Sequence, residues 1–128
     1  MRILLDTHAL LWWLTDDPEL GRKARDHIAE AENTIVVSSA SLWEIVIKQR
    51  LGKLEGEIVE IEKEVARQGM VRLNVLADHL IELSTMAVHH RDPFDQMLVA
   101  QARAEDMPLM TADVRIAPYS VDRIAADR

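Results

Sequence analysis

An α/β fold, with a central parallel β-sheet flanked by helices on both faces, follows from three features of the sequence. Short continuous apolar runs alternate with longer stretches in which apolar residues recur at helical spacing. Most of those runs lack a period of two, as expected of strands covered on both faces. The two signals take turns along the chain, which implies βαβ units and hence a parallel sheet. The chain has 128 residues, which fits one domain over residues 1–128 and leaves too little for a second core. Hydrophobic residues make up 48% and charged residues 29%, the balance of a folded globule and not of a disordered chain.

The elements follow in order. Ile3, Leu4 and Leu5 form a short run suited to a buried strand. Residues 9–14, the longest unbroken apolar run, read as a short helix that stops near Asp16, Asp17 and Pro18; six residues are far too few to span a membrane. Residues 20–31 are an amphipathic helix rich in Ala, Lys, Arg and Glu. Thr34, Ile35, Val36 and Val37 make a second β-branched run. Ser38 and Ser39 then offer an N-cap for a helix over residues 40–51, ended by Gly52. Residues 58–68 are a further helix closed by Gly69. Residues 71–75 alternate apolar and polar, as a half-exposed edge strand does. Residues 76–88 are helical. Pro93 opens another helix to residue 105, since proline suits the first helical position. Residues 108–110 form a short buried strand, and residues 120–121 mark a last one. Asp6 interrupts the N-terminal apolar stretch, which therefore lacks a signal-peptide layout; the expected location is the cytoplasm.

Charge narrows the function. Lys plus Arg total 15 against 22 Asp plus Glu, a net −7. That argues against a basic protein that wraps nucleic acid, and leaves open a nucleic-acid enzyme whose acids hold metal ions. With no Cys, disulfides, thiolate catalysis and Cys-based zinc sites are excluded.

In open parallel sheets, ligands bind beyond the carboxyl ends of the strands. Asp6 directly follows the first strand, and Asp113 lies just past the strand at residues 108–110. Glu44 falls in the second turn of the helix after the second strand, and Asp95 in the first turn of the helix opened by Pro93. At about 100° per residue, Asp95 shares a face with Leu98, Val99 and Ala102, the side expected to meet the core. Each acid also has a plainer role open to it. Asp92 and Asp95 could form a capping box, and Asp6 could cap the helix that follows it. Glu44 could pair with Lys48 on an otherwise apolar helix, and Asp113 could start a turn. Taken together the four acids favour a cation. Two carboxylates about 4 Å apart repel by roughly 4 kcal/mol at an effective dielectric of about 20. Hard oxygen donors without His or Cys partners suit Mg²⁺ or Mn²⁺, ions that serve phosphoryl chemistry.

These residues resemble the PIN-domain ribonucleases, in particular the VapC-type toxins of toxin–antitoxin pairs. The matching stretches are Leu4-Leu5-Asp6-Thr7-His8, Ser38-Ser39-Ala40-Ser41-Leu42-Trp43-Glu44-Ile45, Arg91-Asp92-Pro93-Phe94-Asp95 with the helix that follows, and Pro108-Leu109-Met110-Thr111-Ala112-Asp113. The likeness spans essentially the whole chain. It implies a PIN-like fold in which Asp6, Glu44, Asp95 and Asp113 are the catalytic, metal-holding acids, with Mg²⁺ or Mn²⁺ as cofactor. Asp92 is a further acid that caps the helix or supports the ligands, and Thr7, Ser39 and Thr111 are candidates to orient waters or carboxylates. The implied reaction is metal-dependent hydrolysis of an RNA phosphodiester, leaving 5′-phosphate and 3′-hydroxyl ends.

Residues 39–53 carry Lys48, Arg50 and Lys53 against Glu44, a local +2, whereas residues 54–68 carry five Glu against Lys63 and Arg67, a local −3. Lys48, Lys53 and Arg91 are therefore the candidates for RNA phosphate contacts, with a solvated basic face as the alternative. His89 and His90 read as polar surface, and Trp12, Trp13 and Trp43 as core, the first two with part of their surface free for a partner. The resemblance further implies a homodimer and a VapB-type antitoxin whose Arg or Lys enters the acidic pocket. The competing readings are another metal-dependent α/β phosphohydrolase and a non-catalytic PIN-like binding module.

Overall fold

A computed structural model describes residues 1–128. The strands are β1 (Arg2–Leu5), β2 (Thr34–Ser38), β3 (Val71–Leu73), β4 (Leu109–Thr111) and β5 (Arg123–Ala125). The helices are α1 (Thr7–Leu14), α2 (Arg22–Ala29), α3 (Ser39–Arg50), α4 (Ile58–Arg67), α5 (Ala77–Thr85) and α6 (Pro93–Ala104), with a 3₁₀ turn at Val114–Ile116. All strand pairs are parallel and the sheet order is β3-β2-β1-β4-β5. The chain winds outward from β1 through β2 to β3, then crosses back to place β4 on the other side of β1. The carboxyl ends of β1 and β4 thus flank the point where winding reverses, where such sheets open a crevice.

The continuous apolar runs do what their lack of alternation requires. Ile3 and Leu5 face one cluster with Leu10, Val37, Ile45 and Met110, beneath α1 to α4. Leu4, between them, faces the opposite cluster with Val36, Leu98, Val99 and Leu109, beneath α6. Alternation sends neighbours to opposite faces, and both faces are covered. Gly52 and Gly69 end α3 and α4 at φ +72° and +73°, the left-handed conformation that favours glycine at a helix end. Helix α5 is fastened by a fully buried histidine: His79 Nδ1 accepts from the Leu76 N–H at 3.0 Å, and its Nε2 lies 2.9 Å from Glu105 Oε2. No helix is long and apolar enough to cross a membrane.

Several boundaries differ from expectation. Helix α1 starts at Thr7, two residues early, because Asp6 caps it. Helix α2 starts at Arg22: the Gly21 N–H is taken by the Ala126 carbonyl at 2.9 Å, which holds Leu20 and Gly21 outside the helix. Helix α5 ends at Thr85, not at residue 88, and Met86 is already extended. The last strand is Arg123–Ala125 and not residues 120–121. Val121 instead packs beneath α6, and its N–H closes a turn onto the Tyr119 carbonyl.

Leu98 is fully buried between α6 and the sheet. Leu98→Ala is expected to cost about 3 kcal/mol in urea unfolding, whereas Ile81→Ala, at a residue 63% exposed, changes stability by less than about 0.5 kcal/mol. Equal losses would contradict this placement of the core.

Candidate active site

The local sequence places each acid by a backbone requirement. Asp6 ends β1 and caps α1, accepting from the Ala9 N–H at 2.8 Å. Asp92 caps α6, its Oδ1 accepting from the N–H groups of Phe94 (2.9 Å) and Asp95 (3.1 Å). Asp113 caps the 3₁₀ turn, accepting from the Arg115 N–H at 2.9 Å. The capping alternatives for Asp6 and Asp92 and the turn alternative for Asp113 thus hold, and they fix where those carboxylates point. Asp95 makes no reciprocal capping bond; Asp92 does the capping and leaves the Asp95 side chain, 14% exposed, directed inward.

Glu44 combines both of its readings. It is buried, and Lys48 reaches it at 3.0 Å, while the Thr7 hydroxyl donates to its Oε1 at 2.6 Å. Helix α3 is consequently turned from its expected orientation. Ser41 and Glu44 lie inside, and Trp43, expected in the core, is 62% exposed with its ring edge-to-face on Phe94 at 5.2 Å. Polar and apolar residues are mixed all round the wheel of α3, so its periodicity does not select the buried face.

The acids share one electrostatic neighbourhood. Burial raises the Asp95 carboxyl to about 8, with Asp92, Asp6, Asp113 and Glu44 adding to the rise. Burial also raises Asp6, against hydrogen bonds from the Ala9 N–H and Thr111 that act to lower it. Asp113 goes the other way, down to about 2, because the Arg115 guanidinium grips it. Arg115 Nη2 lies 2.6 Å from Asp113 Oδ2 and 3.7 Å from Asp95 Oδ2. Arg115 is the residue that sequence reasoning missed; its signal was a cation two positions after an acid at a strand end.

Five carboxylates therefore meet two cations, Lys48 and Arg115. As they stand, no three carboxylate or imidazole groups lie closely enough to hold a metal. The donor chemistry nevertheless fits a hard divalent cation: carboxylate oxygens, an excess of negative charge, and an aspartate whose ionisation is suppressed first by burial and then by that excess. Arg115 is 57% exposed on a flexible stem and can swing away.

The supporting residues divide. The Thr7 hydroxyl is on Glu44, and Thr111 bonds both the Asp6 carboxyl and the Asp113 N–H (3.0 Å). Ser39 does not reach the acids: its hydroxyl accepts from the Val75 N–H at 3.3 Å, and Ser38 alone caps α3. Lys48 and Lys53 line a cleft of about 280 Å³ with Glu44, Asp92 and Phe94. Arg91 is exposed at the start of the Asp92 segment. His90 is not surface. Its side chain is 6% exposed, with Nδ1 2.9 Å from the Tyr119 hydroxyl and Nε2 3.6 Å from Asp95 Oδ2.

The family model described as the PIN domain matches residues 3–121. No curated protein matches the chain in sequence. Solved structures similar to it include VapBC2 from Rickettsia felis bound to a DNA fragment from its promoter, at 15% identity and TM-score 0.69, covering 97% of this chain and 98% of that one. VapBC-1 from nontypeable Haemophilus influenzae is similar at 14% identity and TM-score 0.69, over 100% of both chains. VapBC-5 from Mycobacterium tuberculosis, a member of the VapBC family of toxin–antitoxin systems, is similar at 18% identity and TM-score 0.63, over 96% and 95%. At these identities the likeness is one of fold.

The raised Asp95 carboxyl has a thermodynamic consequence. Between pH about 4 and about 8 the folded state keeps a proton that the unfolded chain has released, so stability falls as pH rises through that window. The melting temperature of the metal-free protein is expected to drop by about 5 °C or more from pH ~5 to pH ~8. Asp95→Asn should flatten that decline, and a profile unchanged by the substitution would refute the assignment.

Proposed function

The chain belongs to the PIN domain family, and on that premise we propose that it is a VapC-like toxin, a Mg²⁺- or Mn²⁺-dependent endoribonuclease held in check by a cognate antitoxin. The observation that supports this reading is that Asp6, Glu44, Asp95 and Asp113, from four separate segments, share one electrostatic neighbourhood at the carboxyl edge where β1 meets β4, though not yet at metal-binding distances. Asp6, Asp95 and Asp113 would hold the cation, with Glu44 completing the set. When bound, the cation makes water a nucleophile near neutral pH and offsets the charge that builds on a phosphodiester under attack. Thr7 and Thr111 fix the rotamers of Glu44 and Asp6, so the donors are preset. Asp92 keeps α6 aimed so that Asp95 enters the pocket.

Substrate contact falls to cations at the rim. Arg115, released from Asp113, is placed to meet a phosphate beside the acids, and its planar fork suits that role. Lys53 and Arg91 extend the basic margin, with Lys48 divided between Glu44 and the cleft. A net −7 chain can bind RNA through such a local margin while the rest of its surface repels it. The VapBC names of the structural neighbours support a protein partner, which we take to be a VapB-type antitoxin inserting a cationic side chain among the same acids. Exposed Leu80 and Ile81 on α5 offer apolar surface for a second copy in a homodimer, in keeping with a cytoplasmic assembly.

Purified protein incubated with labelled RNA should cut it only with Mg²⁺ or Mn²⁺, and Asp6→Ala or Asp95→Ala should lower the rate by at least about 100-fold. Lys53→Glu should weaken RNA binding several-fold without altering the metal requirement. Equal cleavage by wild type and both aspartate variants would contradict the proposal.

A further inference from the structure

We propose that His90 is a positioning residue for Asp95: its Nε2–H, held in one tautomer by the Tyr119 hydroxyl, orients the Asp95 carboxylate for divalent-cation binding. The inference rests on the function proposed above and assigns that site a part it lacked.

His90 lies in the irregular segment between α5 and α6, two residues before the Asp92 cap. Its side chain is 6% exposed, and Nε2 is fully buried without a hydrogen-bond partner. A buried polar nitrogen left unpaired is costly, and most such groups in folded proteins are paired. The polar atom this nitrogen faces is Asp95 Oδ2 at 3.6 Å, just beyond hydrogen-bond length. A small rotation of either side chain closes that gap.

The partner on the other ring nitrogen fixes the direction of donation. Tyr119 is 5% exposed, and its oxygen accepts from the His89 N–H at 3.3 Å and lies 2.9 Å from His90 Nδ1. When the phenol hydrogen is given to Nδ1, the imidazole proton sits on Nε2, facing the carboxylate. The opposite tautomer would deny the phenol hydrogen its Nδ1 acceptor and, once Asp95 is ionised as cation binding requires, would set a lone pair on Nε2 against those of the carboxylate. The histidine is held firmly: both His89 and His90 lie edge-on to the Tyr119 ring, at 4.8 and 5.5 Å, and the Gln96 amide donates to the His90 carbonyl. Arg115, 3.7 Å away, also faces Asp95 Oδ2, but it is more than half exposed and its guanidinium is engaged by Asp113. His90 is the donor held in place by its neighbours. Metal-holding carboxylates depend on such donors for orientation, and removing one usually lowers metal affinity or activity 10- to 100-fold, an order-of-magnitude range of about one to two decades.

The test uses the full chain and Mg²⁺ as the probe. In ¹⁵N spectra the His90 imidazole should be the Nε2–H tautomer, and its Nε2 resonance should move when Mg²⁺ is added. An Nδ1–H tautomer, or no response to Mg²⁺, would overturn the proposal. By calorimetry, His90→Phe, which fills the space without a donor, should bind Mg²⁺ about 10-fold or more weakly. His90→Gln, which returns an N–H at similar reach, should recover most of that loss. Tyr119→Phe should fall between the two and lose the single tautomer. Wild-type Mg²⁺ affinity in His90→Phe, or equal loss in His90→Gln and His90→Phe, would show a role in packing only. Asp6→Ala and Asp95→Ala run alongside separate the two failures. If they remain active, the proposed function itself falls; if they are dead while His90→Phe binds normally, only the role of His90 falls.

Discussion

Carboxylates taken out of water next to one another are the constraint around which this protein is organised. Asp6 is 4% exposed at the end of β1, and Asp95, projecting from α6, feels its charge. Like charges so placed repel, and burial deprives them of the water that would soften the repulsion. The fold answers with helix starts. Helices α1, α3 and α6 begin at this edge of the sheet, capped by Asp6, Ser38 and Asp92. Each start presents unpaired N–H groups and the positive end of a helix dipole. Caps and candidate metal donors are in part the same residues, so the backbone that forms the sheet also places the charge.

Helix starts offset only part of five carboxylates, and side-chain cations take up more. Arg115 grips Asp113 through a two-pronged contact, and Lys48 reaches Glu44 from one turn along α3. The two pairings differ in character. Glu44 is also held by Thr7 and is the more deeply buried partner, whereas Arg115 is more than half exposed. An incoming divalent cation would meet a Glu44 already oriented and an Asp113 it must win from an arginine. The cationic side chain of an inhibitor would face the same competition.

Much of this was legible in the sequence because it depends on short-range rules. Strands read as unbroken apolar runs proved to be buried on both faces, and Pro93 with Asp92 opened α6 as their chemistry requires. Asp6, Asp95 and Asp113 were legible because each follows a strand or starts a helix. What escaped depends on contacts distant in sequence. Trp43 reads as core because α3 mixes polar and apolar residues all round, and only packing against α6 decides which side is buried. His90 looked like one of two surface histidines until Tyr119, 29 residues later, closed over it. His79 and Glu105, 26 residues apart, likewise declare themselves only when α5 lies against α6. The final strand was displaced because Val121 carries an apolar signal for a loop that packs beneath a helix.

The central claim is that the acids at the β1 and β4 ends share a divalent cation once Arg115 gives way. Its most direct test is a crystal of the full chain soaked in Mn²⁺ and measured for anomalous scattering. The account predicts a peak among the carboxylates of Asp6, Asp95 and Asp113, with the Arg115 guanidinium moved off Asp113. Manganese bound elsewhere, or a pocket in which Arg115 keeps its grip and no peak forms, would contradict it.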